Sequence, residues 1–323
     1  MNNHAEKQVV PYICGRWKGM KEHCLTLDRE VAYNDFVTVA VVVPAHNASQ
    51  TIVSTIDSIL KSISDGDRIF VIENGSMDDT WQKLCATYQE NSAVCLTQSD
   101  IANASIARNL GVELAHEYDY VAFCDADDTW HPRKLEWVRK IIASNSPDVI
   151  FHPMLSVGDK RITLEGAGFL NKRLPRTPKL AWDLAVYGNF FPTSAMVLRR
   201  CVLPNPVFLP ELKQTQDYEA WCAIAHFNAN LNVAYIDLIL GIHSWMGGLS
   251  NAVPARMRNI WWVSAHYLEN APLKLRAIAK FRMLAHIVWW LGKTKNLGML
   301  RALFLSSVKG RQLNKLLDAT VTH

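Results

Sequence analysis

Three short apolar runs, each stopped by a cluster of polar residues, constrain this chain more than any other feature. Thr38-Val39-Ala40-Val41-Val42-Val43 is almost continuously aliphatic and ends in Pro44-Ala45-His46-Asn47. Arg68-Ile69-Phe70-Val71-Ile72 ends in Glu73-Asn74-Gly75-Ser76-Met77-Asp78-Asp79-Thr80, and Tyr120-Val121-Ala122-Phe123-Cys124 ends in Asp125-Ala126-Asp127-Asp128. Runs of this length without alternation read as strands covered on both faces. Helical spacing follows each of the first two. Ile52, Ile56, Ile59 and Leu60 recur after Ser49, and a second helix opens near Asp79, where Asp and Thr can cap free N–H groups. Ile106, Leu110 and Leu114 mark another helix, one more starts at Pro132, and Ser92–Thr97 and Asp148–Phe151 are further strand candidates. Strands alternating with helices imply a mostly parallel sheet with helices on both faces. Ligands of such sheets bind beyond the strands' carboxyl ends, so the three polar turns belong on one rim.

The third turn is the most acidic. Ionised carboxylates are not buried unpaired, so Asp125, Asp127 and Asp128 must face water, a cation or a ligand. On an extended strand Asp125 and Asp127 would point to the same side. Hard oxygen ligands so placed suit Mg²⁺ or Mn²⁺, held by one or two carboxylates plus substrate phosphates. The competing use of such residues is an acidic turn that caps the next helix.

Four blocks in order carry a resemblance. Val43-Pro44-Ala45-His46-Asn47, Glu73-Asn74-Gly75-Ser76 with Asp78 and Thr80, Ala107-Arg108-Asn109 with Gly111, and Asp125-Ala126-Asp127-Asp128-Thr129-Trp130-His131-Pro132 together resemble the family-two glycosyltransferases of the GT-A fold. The likeness covers Thr38–Glu136 and continues more weakly to about Gly248. It implies an α/β fold with a Rossmann-like, mostly parallel sheet. It also implies transfer of a sugar from a nucleoside-diphosphate donor, with UDP as the expected nucleotide, to an acceptor hydroxyl with inversion at the anomeric carbon.

The resemblance further implies a donor site made of Pro44, His46, Asn47, Glu73, Asn74, Arg108, Asp125 and Ala126. Glu73 matches the position whose carboxylate accepts the uracil N3–H, and Asn74 stands where a second Asp is commoner. Asp125 is similar to the ribose- or metal-side carboxylate, and Asp127 to the direct Mn²⁺ or Mg²⁺ ligand of the Asp-x-Asp motif. Lys213–Trp221 resembles the family's Glu-Asp-Tyr segment at a helix start, with Gln216 in place of Glu. Asp217 then matches the general base, which a hydroxyl nucleophile needs at neutral pH. A helix-start acid that satisfies the macrodipole is the plainer reading of Asp217, and Glu219 is the alternative base if the register shifts by half a turn. Gly241–Ser250 lacks the family's Tyr-Arg pair. There His243 is a candidate for metal or diphosphate contact, Trp245 for an acceptor platform and Gly247-Gly248 for a loop over phosphates, with a packed or solvent-facing histidine the plainer reading.

The expected organisation is an N-terminal extension over 1–36, a catalytic domain over 37–255 and a basic helical region over 256–323. The catalytic domain divides near residue 135 into nucleotide and acceptor halves. Between Ala271 and Leu317 every charged residue is Lys or Arg, and Trp289, Trp290, Phe304 and many leucines are interleaved. The uncharged runs are too short to span a bilayer. Cationic helices with an apolar side suit an anionic membrane interface. Packing on the catalytic domain or on a second subunit is the alternative, and the segment is too apolar for a nucleic-acid arm.

The net charge of +4 comes from this tail, which leaves the remainder acidic. Seven cysteines without C-x-x-C spacing argue for reduced thiols, and the N-terminus has no apolar signal core. These point to a cytoplasmic enzyme, peripheral at the inner face of the membrane, and the resemblance implies a carbohydrate or lipid-linked acceptor. Two other functions compete. A sugar-nucleotide nucleotidyltransferase would need a glycine-rich basic loop after the first strand, which Pro44-Ala45-His46-Asn47 is not. A non-catalytic binding module would be expected to lack Asp127 or Asp217, and both are present.

Overall fold

The computed structural model describes residues 9–16, 21–26, 37–158, 161–166, 177–244 and 253–294. Strands β1 (Val9–Arg16) and β2 (Lys21–Thr26) come first. Next are β3 (Val39–Ala45), α1 (Ile52–Leu60), β4 (Arg68–Asn74), α2 (Thr80–Tyr88), β5 (Val94–Ser99), α3 (Ala104–Leu114) and β6 (Tyr120–Phe123). Then come β7 (Thr129–Trp130), α4 (Lys134–Asn145), β8 (Val149–Phe151), β9 (Met154–Gly158), β10 (Arg161–Glu165) and α5 (Leu180–Tyr187). The rest comprises β11 (Val197–Arg199), α6 (Gln216–Phe227), β12 (Asn232–Ile236), β13 (Gly241–Ser244), α7 (Val253–Tyr267) and α8 (Leu273–Thr294).

Nine strands build one sheet in the order β2-β1-β12-β8-β11-β6-β3-β4-β5. β3 runs parallel to β4 and β6, β4 to β5, and β12 to β8. Only β11 and β1 are reversed against their neighbours, so seven of the nine strands point one way. The expected mostly parallel α/β sheet is present. β11, from the second half of the chain, lies between β6 and β8, so both halves share this sheet. The hairpin of β1 and β2, whose purpose the sequence did not reveal, joins it by pairing with β12 from Tyr12 opposite Ile236 to Arg16 opposite Asn232. A smaller sheet, β10-β9-β13-β7, stands beside it.

The aliphatic run of β3 is buried throughout because alternate side chains enter two different cores. Val39, Val41 and Val43 meet α1 and α4, while Ala40 and Val42 meet α3, α5 and α6. α1 presents Ile52, Ile56 and Ile59 to the first core, all fully buried. Burial of three such side chains contributes on the order of 5–9 kcal/mol, an upper bound for an extended unfolded chain.

α3 approaches β3 so closely that only glycine fits at position 111. A Cβ there would sit inside van der Waals contact of Val42 Cγ1 and 3.0 Å from Cγ2, on a stiff branched side chain. Ala normally gains about 1 kcal/mol over Gly inside a helix. Here overpacking of about 1–3 kcal/mol should reverse the sign. Gly111→Ala should therefore lower the urea midpoint, and the loss should shrink in a Val42→Ala background. Equal midpoints for Gly111→Ala and wild type would contradict this packing.

Candidate active site

β6, β3 and β4 are parallel neighbours, which brings their polar turns to one rim. The turns after β3 and β4 are knitted together. Asn47 adopts a positive φ of 49°, a region that Asn tolerates better than most residues. Its N–H donates to Ser76 Oγ (2.9 Å) and its Oδ1 accepts from the Met77 N–H (2.8 Å). His46 Nδ1 lies 2.9 Å from the Asn74 carbonyl, to which it donates. The Ala48 N–H donates to Thr80 Oγ1 (2.8 Å) and the Ser49 N–H to Asp78 (3.1 Å).

Asp78 also accepts the Thr80 N–H (3.1 Å), so it closes the start of α2. Asp79, at the N-cap, makes no side-chain capping bond, contrary to expectation. Burial would raise the Asp78 carboxyl, but the bonds from Thr80 and Ser49 prevail and hold it at about 2. Gly75 has φ +69°, the backbone value that this turn requires of a glycine.

Glu73 sits at the end of β4, only 2% exposed. Its Oε1 accepts the Ser76 N–H (2.5 Å) and its Oε2 accepts Gln98 Nε2 from β5 (3.0 Å). Each oxygen keeps a free lone pair, so a ligand N–H can still be received by a carboxylate already aimed. Asn74 is equally buried, its amide between the Ala45 carbonyl and the Asn103 N–H. Pro44 is buried in β3, while His46 and Asn47 stand exposed on the rim.

The acidic turn departs from expectation. β6 stops at Phe123, and the Asp128 N–H donates to the Asp125 carbonyl (3.1 Å). Residues 125–128 are therefore a turn, and strand alternation does not govern where Asp125 and Asp127 point. Arg108 Nη2 binds Asp125 Oδ1 at 2.5 Å, with the guanidinium 5.5 Å from the Phe208 ring centroid. Its Nε and Nη1 are buried and have no partner among the described residues. Ala126 is buried, and its carbonyl accepts Thr55 Oγ1 (2.9 Å), which pins the turn to α1.

Asp128 is buried and spends both oxygens, accepting the Ser194 hydroxyl and the Ser244 N–H (3.3 Å). Burial, with the Asp125 charge, pushes its carboxyl up to about 7. Asp127 is half-buried and is likewise pushed up, by burial and then by Asp125. His243 faces this turn and binds Glu165 (3.0 Å). That hydrogen bond raises it to about 9 against the opposing effect of burial, with Asp128 adding to the rise, so it is protonated at neutral pH.

Asp127 makes no ion pair among the described residues, and burial, then the Asp125 charge, raises its carboxyl although His243 and Arg108 oppose the rise. A divalent cation would counter that rise. No group of three His, Cys, Asp or Glu converges on a cation position among the described residues. Mg²⁺ and Mn²⁺ do not need one when substrate phosphates complete the shell. Asp127, with Asp125 shared by Arg108, could hold such an ion.

Asp217 lies in the first turn of α6, partly exposed. Asn189 Nδ2 donates to its Oδ2 (2.9 Å), and Asn189 Oδ1 accepts the Phe191 N–H (3.0 Å). Glu219 points the other way. It is 1% exposed and accepts the Tyr267 hydroxyl (2.7 Å), between α6 and α7. Trp245 and Gly247-Gly248 lie outside the described residues. Ser194, Asn189 and Gln98 were not anticipated. Each is a common polar residue far in sequence from the carboxylate it serves, and no spacing signals it.

A family model for glycosyl transferase family 2 matches residues 40–202, half of the chain. The chain belongs to that family. Among curated relatives, the amylovoran biosynthesis glycosyltransferase AmsB of Erwinia amylovora is 33% identical over 198 residues, covering 57% of this chain and 62% of that protein. WfgD of Escherichia coli is a UDP-Glc:alpha-D-GlcNAc-diphosphoundecaprenol beta-1,3-glucosyltransferase. It is 23% identical over 73% of this chain and 88% of its own length. The match thus spans less than two thirds of AmsB and nearly all of WfgD. Staphylococcus aureus TarS 1-349, solved in complex with UDP-GlcNAc, superposes with a TM-score of 0.64 at 19% identity, over 85% of this chain and 81% of that one. The GT-A fold expected from the motifs is therefore present.

The buried Glu219 generates a stability prediction. Burial raises its carboxyl from 4.5 to about 7, although the Tyr267 bond opposes the rise. Between those values the folded protein holds a proton that the unfolded chain has lost, so stability falls as pH rises through this window. Glu219→Gln keeps an acceptor for Tyr267 and removes the slope. Melting curves should coincide near pH 4, and the variant should be more stable near pH 8 by up to on the order of 3 kcal/mol. Parallel curves across the whole range would contradict the burial of this carboxylate.

Proposed function

We propose that this family 2 glycosyl transferase moves a sugar from a nucleoside-diphosphate donor, with UDP as the expected nucleotide, to an acceptor hydroxyl with inversion. The observation that carries the reading is one rim with two chemistries. An acidic turn carrying Asp127 shares the rim with the aimed carboxylate of Glu73, and the Asn189-held Asp217 opens α6. The UDP-GlcNAc bound by TarS supports the donor class. The names of AmsB and WfgD support an acceptor in bacterial polysaccharide or lipid-linked glycan assembly. The nucleotidyltransferase alternative lacks its glycine-rich loop, since Pro44–Asn47 holds no glycine and leaves the strand at Ala45 to be tied through Asn47 to Ser76 and Met77.

In this reading Glu73 and Asn74 take the base, the rim of Pro44, His46, Asn47 and Ala126 shapes the nucleotide pocket, and Arg108 holds Asp125 toward the ribose. Mn²⁺ or Mg²⁺ at Asp127, when bound, would offset the charge that builds on the departing diphosphate. Asp217 takes the acceptor proton on the face opposite the leaving group. Glu219 has no path to an acceptor because Tyr267 and the core enclose it.

Asp217→Asn keeps the Asn189 contact in shape but cannot accept a proton, so transfer should fall on the order of 10²–10⁴-fold while UDP affinity survives. Asp127→Ala should lose both transfer and the cation dependence of UDP binding, with an unchanged melting curve. Initial rates paired with calorimetric titration of UDP, with and without Mn²⁺, separate the two. A fully active Asp217→Asn, or cation-dependent binding that survives Asp127→Ala, would refute these roles.

Location is also proposed. α8 has two unlike sides: Leu275, Ile278 and Ala279 pack on the core, whereas Leu273, Phe281, Leu284 and Val288 are exposed, Phe281 by 74%. Lys274, Arg276, Lys280 and Arg282 accompany the exposed residues, and no acid interrupts the helix. One side of α8 thus takes the packing alternative and the other side is exposed. Among the described residues no helix is long and apolar enough to cross a membrane. We infer that α8 lies against an anionic bilayer surface. Lys295–Leu317, the rest of the expected membrane-contact region, lies outside the described residues. Phe281→Asp with Val288→Asp should weaken sedimentation with phosphatidylglycerol vesicles at least tenfold and leave turnover on a soluble acceptor unchanged. Undiminished sedimentation would instead favour a subunit contact.

A further inference from the structure

Ser194 makes four polar contacts from one buried turn. Its Oγ accepts the Asp125 N–H (2.9 Å) and donates to Asp128 Oδ2. Its carbonyl accepts Trp130 Nε1–H (3.0 Å) and Lys134 Nζ (2.6 Å), two groups from the elements that follow the acidic turn. The hydroxyl thus fixes residues on both sides of Asp127, while the carbonyl fixes the chain beyond it.

Five residues earlier, Asn189 turns its amide to Asp217 and accepts the Phe191 N–H. Between the two contacts Phe191 is buried, its ring centroid 4.5 Å from that of Phe151 in β8. Five residues of chain span at most about 18 Å between Cα atoms. One short stretch, anchored in the core at its middle, therefore holds the acidic turn at one end and Asp217 at the other.

We propose that Asn189–Ser194 is a positioning brace: Ser194 shapes the carboxylate turn that receives the donor, Asn189 aims Asp217, and the anchored span sets the separation between them. The inference rests on the transferase reading above and adds to it two residues that touch neither donor nor acceptor. The two ends of the brace have different signatures. Loss of the Ser194 hydroxyl loosens the turn, which is a donor-side defect. A change at Asn189 alters the base and leaves the nucleotide where it was. The fold should survive either change, because the Ser194 carbonyl contacts do not use its side chain and Asn189 is exposed.

The test compares Ser194→Ala and Asn189→Asp with wild type by calorimetric titration of UDP with Mn²⁺ and by the pH dependence of kcat. Ser194→Ala should weaken UDP binding by about ten- to a hundredfold, the range for losing a hydrogen bond to a charged group. Its acid limb should stay in place. Asn189→Asp can still accept the Phe191 N–H, but it sets a like charge against Asp217. It should move the acid limb of kcat upward by about one pH unit with unchanged UDP affinity. A merely structural role for Asn189 would not move that limb. If wild type transfers sugar while Ser194→Ala binds UDP equally well, or while Asn189→Asp keeps the wild-type profile, the brace is overturned and the transferase reading stands. A wild type that transfers no sugar to any acceptor overturns the transferase reading and the brace with it.

Discussion

Three carboxylates within four residues at the end of a buried strand repel one another, and the surrounding structure is arranged around that repulsion. Arg108 neutralises Asp125 from α3, His243 brings a proton-bearing ring from β13, and Ser194 and Ser244 hydrogen-bond Asp128. The contributing elements are otherwise unrelated. α3 reaches the turn because Gly111 lets it lie close against β3, and Ser194 reaches it because β11 is inserted beside β6. What is left over is Asp127, half-buried and raised by that burial and then by Asp125. In the proposed reading this concentration of negative charge receives a cation accompanied by phosphates.

The second organising constraint is direction. Parallel strands β3, β4 and β6 send their polar turns to the same rim, so Asn47, Glu73 and Asp125 share it although they are far apart in sequence. The rim is stiffened by exchange between turns, with Asn47 bound to Ser76 and Met77 and Glu73 bound to Gln98 of β5. Such cross-bracing fixes carboxylates before a ligand arrives, which lowers the ordering cost of binding.

The sheet was legible because aliphatic runs and helical spacing are local signals. β3 and α1 follow directly from Val39–Val43 and from Ile52, Ile56 and Ile59. The strand end was less legible. Alternation predicted that Asp125 and Asp127 share a side, but the chain leaves the strand at Phe123 to form a turn, and only the tertiary contacts of Ala126 and Asp128 decide that. Glu219 and Asp217 look interchangeable in sequence. Packing separates them, because α7 covers one with Tyr267 and leaves the other beside Asn189. The helical tail could not be resolved by pattern alone, since an amphipathic helix that packs and one that meets a bilayer share a composition. α8 is seen to do the first on one side and to leave the second side open.

The proposed mechanism has Asp217 and the departing diphosphate on opposite faces of the sugar. The most direct measurement is the anomeric configuration of the transferred sugar, read by NMR coupling constants from a donor of known configuration. A single displacement driven by Asp217 requires the product to carry the inverted configuration. Retention of the donor's configuration would contradict it, whatever the residues around the acidic turn prove to bind.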